Sequence, residues 1–421
     1  MRFVGLDVHR DFCEIAIVED GVVRSAGRIQ TTPEKLAVLG DSLGPDAAVV
    51  LEATFNAVAI AAILRPRVGR VMLCEPAAVS DRGGVKTDKL DARALARLLA
   101  SGFLREVWAP DDQTVALRYR LSRRRQLVKQ RTREKNQIHA VLMRNLKPRA
   151  PMSDLFGVKG RTWLADQQLP AGEREMVDAC LRHLDFLDGE VKQLDRAIAQ
   201  SVLASEQALR LLQLPGVSVT TAATLMASIG DITRFPTARH LVGYFGLNPR
   251  VRQSGAEPAR HGRITKHGPG AVRAVLVEAA WVAARTPGPQ KAFWERTAAK
   301  RGSKIATIAL ARKLAVLTWQ LLAKREDYAF KRPAALSEKR RTLELLAGAP
   351  PRRGHRAHPR VRVTPELREL DREIARQAET AYRRLVADWQ ASGPKEQAGA
   401  GATPGRASQR PSKGTAARQT Q

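Results

Sequence analysis

The chain has 421 residues and a formal net charge of +29, enough length for two or three domains and an excess of charge that calls for a polyanionic partner, most plausibly nucleic acid. No run of about 18 apolar residues is free of charge, so no membrane partner is expected, and a strand pattern beginning at Phe3 leaves no room for a signal peptide. Cys13, Cys74 and Cys180 are odd in number and lack metal-ligand spacing, which predicts buried thiols in a reducing, cytoplasmic setting.

Residues 3–8, Glu14–Val18 and Val22–Ile29 predict three strands, the last two joined by an Asp20-Gly21 turn. Thr32 and Pro33 open a helix, followed by a strand at Ala48–Glu52, an alanine-rich helix near Ala57–Leu64 and a strand at Arg70–Cys74. Three strands, then alternation with helices, predict a mixed sheet with helices on its faces. Two acids stand inside this apolar pattern, Asp7 and Glu52, and a buried carboxylate needs a partner. After the loop Pro76–Val85 comes Lys86-Thr-Asp88-Lys-Leu-Asp91-Ala92, at the start of a helix read as Leu90–Ala100, a spacing that puts both aspartates on one face of the first turn. Taken one at a time, these acids also fit an Asp-favouring helix start and two strand ends. Taken together, Asp7, Glu52, Asp88 and Asp91 make an oxygen-rich site for Mg²⁺ or Mn²⁺.

Pro110 and Pro148 bracket a long helix, about Gln113–Lys147, closing a first domain over 1–148. It carries Arg118, Arg120, Arg123, Arg124, Arg125, Lys129, Arg131, Arg133, Lys135, Arg144 and Lys147, opposed within the helix by Glu134 alone. A solvated helix mixes signs, so this row predicts phosphate contacts, with RNA the expected ligand. Over 149–205, Val177, Cys180, Leu184, Leu187, Val191, Leu194 and Ile198 follow a heptad seam, which fits an oligomerisation arm or packing within the chain. Leu214-Pro-Gly216-Val217, Thr220–Ile229 and Gly230-Asp231 predict a helix-hairpin-helix in a mostly α-helical domain over 206–330, able to grip a DNA phosphate.

From Gly246 to Gly270 runs a polar, basic loop with Arg250, Arg252, Arg260, His261, Arg263, Lys266 and His267 around Ser254-Gly255. A serine is a poor nucleophile until its proton leaves and the attacked phosphate is neutralised, and this neighbourhood supplies the second condition. On residues alone, a nucleophile and a phosphate-binding loop serine both fit. Helices near Ala271–Ala284 and Lys304–Leu322 would pack beneath it. Beyond Lys331 the globular pattern fades into a basic tail, with one helix from Thr364 to Trp389 placing Leu370, Ile374, Ala381 and Leu385 on one face, then disorder from Ser392.

Gly5-Leu-Asp7-Val-His9, Leu51-Glu52-Ala-Thr54 and Lys86-Thr-Asp88-Lys-Leu-Asp91-Ala92 resemble the acidic motifs of the insertion-sequence-110 transposase family. Leu214-Pro-Gly, Ile229-Gly-Asp, Gly243-Tyr-Phe-Gly246-Leu, Ser254-Gly255, Arg263-Ile-Thr-Lys266 and Val277-Glu-Ala-Ala-Trp281 are similar to its second half. Phe55, Ala256 and Pro269 depart from the pattern, which has glycine, glycine and asparagine there. The resemblance covers about residues 1–325. It implies a ribonuclease-H-like (RuvC-like) domain with its four-acid site at Asp7, Glu52, Asp88 and Asp91, and a transposase domain whose nucleophile is Ser254. It also implies donor and target double-stranded DNA, a structured guide RNA, and a dimer or tetramer joining the acids of one subunit to the serine of another. A site-specific invertase or a Holliday-junction nuclease would use the same scaffold, and a non-catalytic nucleic-acid-binding protein could keep it.

Overall fold

The computed structural model describes residues 1–75, 87–255, 257–350 and 363–391, without the side chains of His261 and Trp389. The expectations for the loop 76–85, Lys86, Ala256, residues 351–362 and the segment from Ser392 lie outside these. The chain divides into two compact units between Ala116 and Leu117, within the long helix.

In the first unit, β1 (Arg2–Val8), β2 (Phe12–Glu19), β3 (Val22–Gln30), β4 (Ala47–Glu52) and β5 (Arg70–Cys74) form one mixed sheet ordered β3-β2-β1-β4-β5. β1 runs antiparallel to β2 and parallel to β4. Asp20 and Gly21 both take positive φ, 50° and 77°, the backbone that a two-residue hairpin turn requires. Alternation sorts the side chains. Val4, Leu6, Cys13, Ile15, Val49 and Leu51 meet α1 (Pro33–Leu43) and α2 (Ala57–Leu64) on one face. Ala16, Val18, Ala48 and Val50 meet α3 (Asp88–Ala100) on the other. α3 presses against the backbone of β1, since a Cβ added to Gly5 would stand 2.2 Å from the Ala92 carbonyl oxygen and 2.6 Å from the Ala96 nitrogen.

The second unit holds α4 (Asp112–Arg144) from Leu117 onward, α5 (Val158–Ala165) and α6 (Ala171–Leu203). With 33 residues, α4 is about 50 Å long. The heptad seam of α6 is filled within the chain. Cys180 and Leu184 pack with Ile138 and Leu142, and Leu187 and Val191 with Leu127. The two helices therefore run antiparallel, and the stretch 149–205 is part of a helical hairpin. Where a helix-hairpin-helix is expected, α7 (Glu206–Leu211) and α8 (Val219–Ile229) flank a turn with Gly216 at φ 77°.

Beyond it come α9 (Ala238–Tyr244), α10 (Gly270–Arg285), α11 (Pro289–Arg301) and α12 (Ser303–Ala323). Among the described residues α12 alone is long and apolar enough to cross a membrane, but half of it is buried, with Leu310, Leu314 and Leu322 in the largest core. The region after Lys331 departs from expectation. It holds α13 (Pro333–Ala347) as well as α14 (Pro365–Ala391), and Leu343 lies fully inside that same core. Lys339 is drawn in too. Its ammonium donates to the Leu212 and Leu214 carbonyls at 2.7 Å each, and burial pushes its pKa down to about 8.

α14 turns inward a different face from the one its leucines suggest. Ala375, Ala378 and Asp371 are buried, while Leu370 and Leu385 are 44% and 66% exposed. The reason is Asp371, whose carboxylate accepts from the Ala334 and Ala335 amides at 3.0 and 3.2 Å, capping the start of α13. Small alanines beside it let the helix approach. Asp371→Ala should cost about 1–2 kcal/mol through the lost cap, read as a lower Tm with activity per folded molecule unchanged.

Candidate active site

The acidic site lies on the α3 side of the first unit. Asp7 follows Gly5 on the same face of β1, and β2 sets Glu14 directly opposite Asp7. On the parallel neighbour, Leu51 pairs with Leu6, so Glu52 at the end of β4 stands level with Asp7. The Thr87 hydroxyl caps α3 by accepting from the Leu90 amide, placing Asp88 and Asp91 in the first turn. The close pass at Gly5 brings that turn over the end of β1.

Asp7 and Asp88 are brought together by His9. Its Nε2 stands 3.2 Å from Asp7 Oδ2 and 3.3 Å from Asp88 Oδ1, and donor atoms of all three residues lie within 4.8 Å of one another. Burial pushes the Asp7 pKa up; His9 draws it down, and the nearby charges of Asp88 and Asp91 add to the rise. An ionised Asp7 is therefore uncomfortable until a cation arrives. Asp91 is close enough to act on Asp7 through charge, but neither it nor the half-buried Glu52 is part of the cluster of donor atoms. A set of carboxylate oxygens with one imidazole fits a hard or borderline divalent ion.

His9, Phe12, Glu14 and Arg28 were not among the predicted site residues. His9 was legible, because it shares the alternation of Gly5 and Asp7. The Phe12 ring lies 4.7 Å from the His9 ring and 4.3 Å from the Arg28 guanidinium carbon. Arg28 donates to Glu14 at 2.5 Å and to Asp88 at 3.1 Å.

In the second unit, the predicted loop around Ser254 is a two-stranded antiparallel ribbon, β6 (Pro249–Arg252) and β7 (Arg260–Ile264). Its base is tightly held. Gly246 and Gly268, with φ of 67° and 77°, pass so close to the His267 and Tyr244 carbonyls that a Cβ would come within 2.1 and 2.0 Å. Arg273 joins the base by donating to the Phe245, His267 and Gly268 carbonyls. The tip is open: Gln253, Ser254 and Gly255 are exposed, and Gly255 takes φ 57° with nothing near its Cβ position. Arg250, Arg252, Arg260, Arg263 and Lys266 are all exposed. Arg252 pairs directly across from Arg260, a like-charge juxtaposition that costs stability in the free ribbon and suits an anionic ligand. Among the described residues no acid or imidazole bonds to the Ser254 hydroxyl, and the His261 side chain lies outside them.

The basic row of α4 divides in two. Arg124 and Arg131 pair with Asp195 and Asp188 of α6, Arg120 donates to Ser201, Arg118 to the Ala227 carbonyl, and Lys135 sits over the Phe156 ring. Arg123, Arg125, Lys129 and Arg133 are exposed on the remaining side. Arg144 is tied to Glu173. The opposing charge missing from α4 itself is supplied by its neighbour.

The first unit is thus a mixed sheet with acids at the ends of adjacent strands and at an abutting helix, and the second is mostly helical. Comparison with known proteins gives the family. Residues 4–145 match the DEDD transposase profile of IS110, and residues 208–295 the profile described as Transposase IS116/IS110/IS902 family. The transposase for insertion sequence element IS1111A of Coxiella burnetii is 30% identical over 252 residues, 58% of this chain and 68% of that one. The pilin gene-inverting protein of Moraxella bovis is 28% identical over 255 residues, again 58% and 68%. A Sinorhizobium fredii relative, y4qE, is 34% identical over 202 residues, 47% of this chain and only 48% of its own length. The chain belongs to the IS116/IS110/IS902 family of transposases, enzymes of DNA recombination, and its acid-bearing domain is of a kind that suggests divalent-metal dependence.

Proposed function

We propose that the chain cuts and rejoins DNA for a mobile element, through a covalent phosphoserine at Ser254 and a Mg²⁺ or Mn²⁺ ion held at Asp7 and Asp88, with Asp91 and Glu52 completing the site. The observation that carries this reading is the convergence of Asp7, His9 and Asp88 within 4.8 Å at one end of the mixed sheet. A divalent ion there would polarise a phosphoryl oxygen and lower the pKa of an attacking hydroxyl. The Ser254 oxygen forms a bond to phosphorus as the bond from phosphorus to the DNA leaving oxygen breaks, and that oxygen keeps the electron pair and takes up a proton. Attack by a second DNA hydroxyl reverses the step, so rejoining needs no nucleotide cofactor. The guanidinium groups of Arg250, Arg252, Arg260 and Arg263, with Lys266, would neutralise charge on the phosphoryl oxygens. Arg123, Arg125, Lys129 and Arg133 on the open side of α4 would hold a structured guide RNA. A dimer or tetramer in the cytoplasm, joining the acids of one subunit to the serine of another, completes the proposal.

The Moraxella relative favours inversion as a second reading. The same residues would serve an invertase, and the DNA flanking the reading frame separates the two.

The metal half is tested by Asp7→Asn. Saturating Mn²⁺ should raise the Tm of the native chain, by about 2.7 kcal/mol of stability at a hundredfold excess over Kd. The variant should lose this rise together with strand exchange. In EDTA its Tm should not fall, since it no longer holds one negative charge against Asp88 and Asp91. Full strand exchange in EDTA would sink the metal.

A further inference from the structure

We infer that Arg28 is the positioning residue of the acidic site, holding Asp88 so that one carboxylate oxygen faces Asp7. The inference rests on the divalent-ion reading above. Asp88 is gripped at both oxygens: Oδ1 stands 3.3 Å from His9 Nε2, and Oδ2 accepts from Arg28 Nη2 at 3.1 Å. With Oδ2 occupied, the carboxylate cannot rotate freely about its stem, and Oδ1 stays beside the His9 Nε2 that also meets Asp7.

Arg28 can do this because it is itself fixed from two sides. Register places it directly across from Glu14, whose Oε2 accepts from its Nε at 2.5 Å, and its guanidinium carbon lies 4.3 Å from the centre of the Phe12 ring. Glu14 has no exposed surface, and its Oε1 has no hydrogen-bond partner among the described residues. Burying a carboxylate so is unfavourable, and a well-packed apolar pair would serve the sheet at least as well. The arrangement makes sense as a tool for aiming a guanidinium. One arm of the fork is anchored inside the sheet, and another reaches out of β3 to the first turn of α3. The planar fork is essential, because a lysine offers a point charge on a flexible stem and cannot bridge both acids in fixed geometry. Phe12 holds His9 and Arg28 together, so both contacts to Asp88 are set by one ring.

The test uses the full chain and Mn²⁺ alone, with Kd measured by electron paramagnetic resonance of the free ion and by the Mn²⁺ midpoint of the Tm rise. Arg28→Gln should raise Kd roughly 10–100-fold, the usual effect of removing a residue that orients a ligand. Arg28→Lys should recover only part of this. Because Arg28→Gln leaves Glu14 buried without a partner, the double variant Glu14→Gln/Arg28→Gln decides if the single one unfolds. Its Tm in EDTA should be close to the native value, while Mn²⁺ binding stays at least about tenfold weak. Native Kd in Arg28→Gln, or in the folded double variant, overturns the inference. Tighter binding overturns it too, by making Arg28 a competitor of the ion. No Mn²⁺ binding by the native chain would instead remove the metal reading beneath it.

Discussion

Ser254→Ala should lower strand exchange by on the order of ten-thousandfold or more, with DNA and RNA binding unchanged. Removing a serine nucleophile leaves only the acceleration from bound charges and positioning, and losses of that size are typical. Mass spectrometry of the denatured reaction should find nucleotide on the peptide carrying Ser254 in the native chain and on none in the variant. Ser254→Thr keeps a hydroxyl but should recover little, since the extra methyl crowds the approach to phosphorus. Of the hydroxyls near the Gly216 turn, that of Ser218 caps α8 by accepting from the Thr221 amide and bonds the Thr221 hydroxyl. A nucleotide on any other residue, or activity persisting in the alanine variant, refutes the assignment.

The second large effect is expected at Gly5, which touches no substrate. The Cβ of an alanine there would collide with backbone atoms of α3, at 2.2 and 2.6 Å, and backbone cannot rotate away as a side-chain tip can. Gly5→Ala should therefore cost about 3 kcal/mol or more, by forcing the helix off the sheet. The same displacement carries Asp88 and Asp91 away from Asp7, so the Mn²⁺-dependent rise in Tm should shrink even in the fraction that folds. Gly27→Ala is the control. Gly27, unlike Gly5, takes a positive φ, 89°, and nothing lies within 4 Å of its Cβ position, so the variant should lose stability through backbone strain without losing the ion response. Equal ion responses in the two variants would contradict the role given to the Gly5 contact.

Much of this was legible in the sequence because it depends on local rules. The apolar run around Asp7 gave the strand, Asp20-Gly21 the turn, and Thr32-Pro33 a helix start. The acids stood out because carboxylates are rare in apolar strands. What was missed depends on neighbours far along the chain. The ribbon around Ser254 has too few apolar residues to alternate, and it is held by Arg273 and by glycines packed on distant carbonyls. Glu14 reads as an ordinary acid in a short strand until the register sets Arg28 across from it. The charge balance of α4 is invisible without α6. In α14 a hydrophobic stripe pointed one way and a single buried aspartate turned the helix the other.

Leu343 and Lys339 separate two things that family matching treats as one. The family profile of the second half ends at residue 295, yet the core beneath the serine ribbon also takes in a leucine nearly fifty residues later. Lys339 ties the same helix to the carbonyls that lead into the Gly216 turn. The unit of shared chemistry is thus shorter than the unit that folds. A fragment cut at residue 295 would carry every predicted reactive group and yet lack α12 and α13, and with them Leu310, Leu314 and Leu343 of that core.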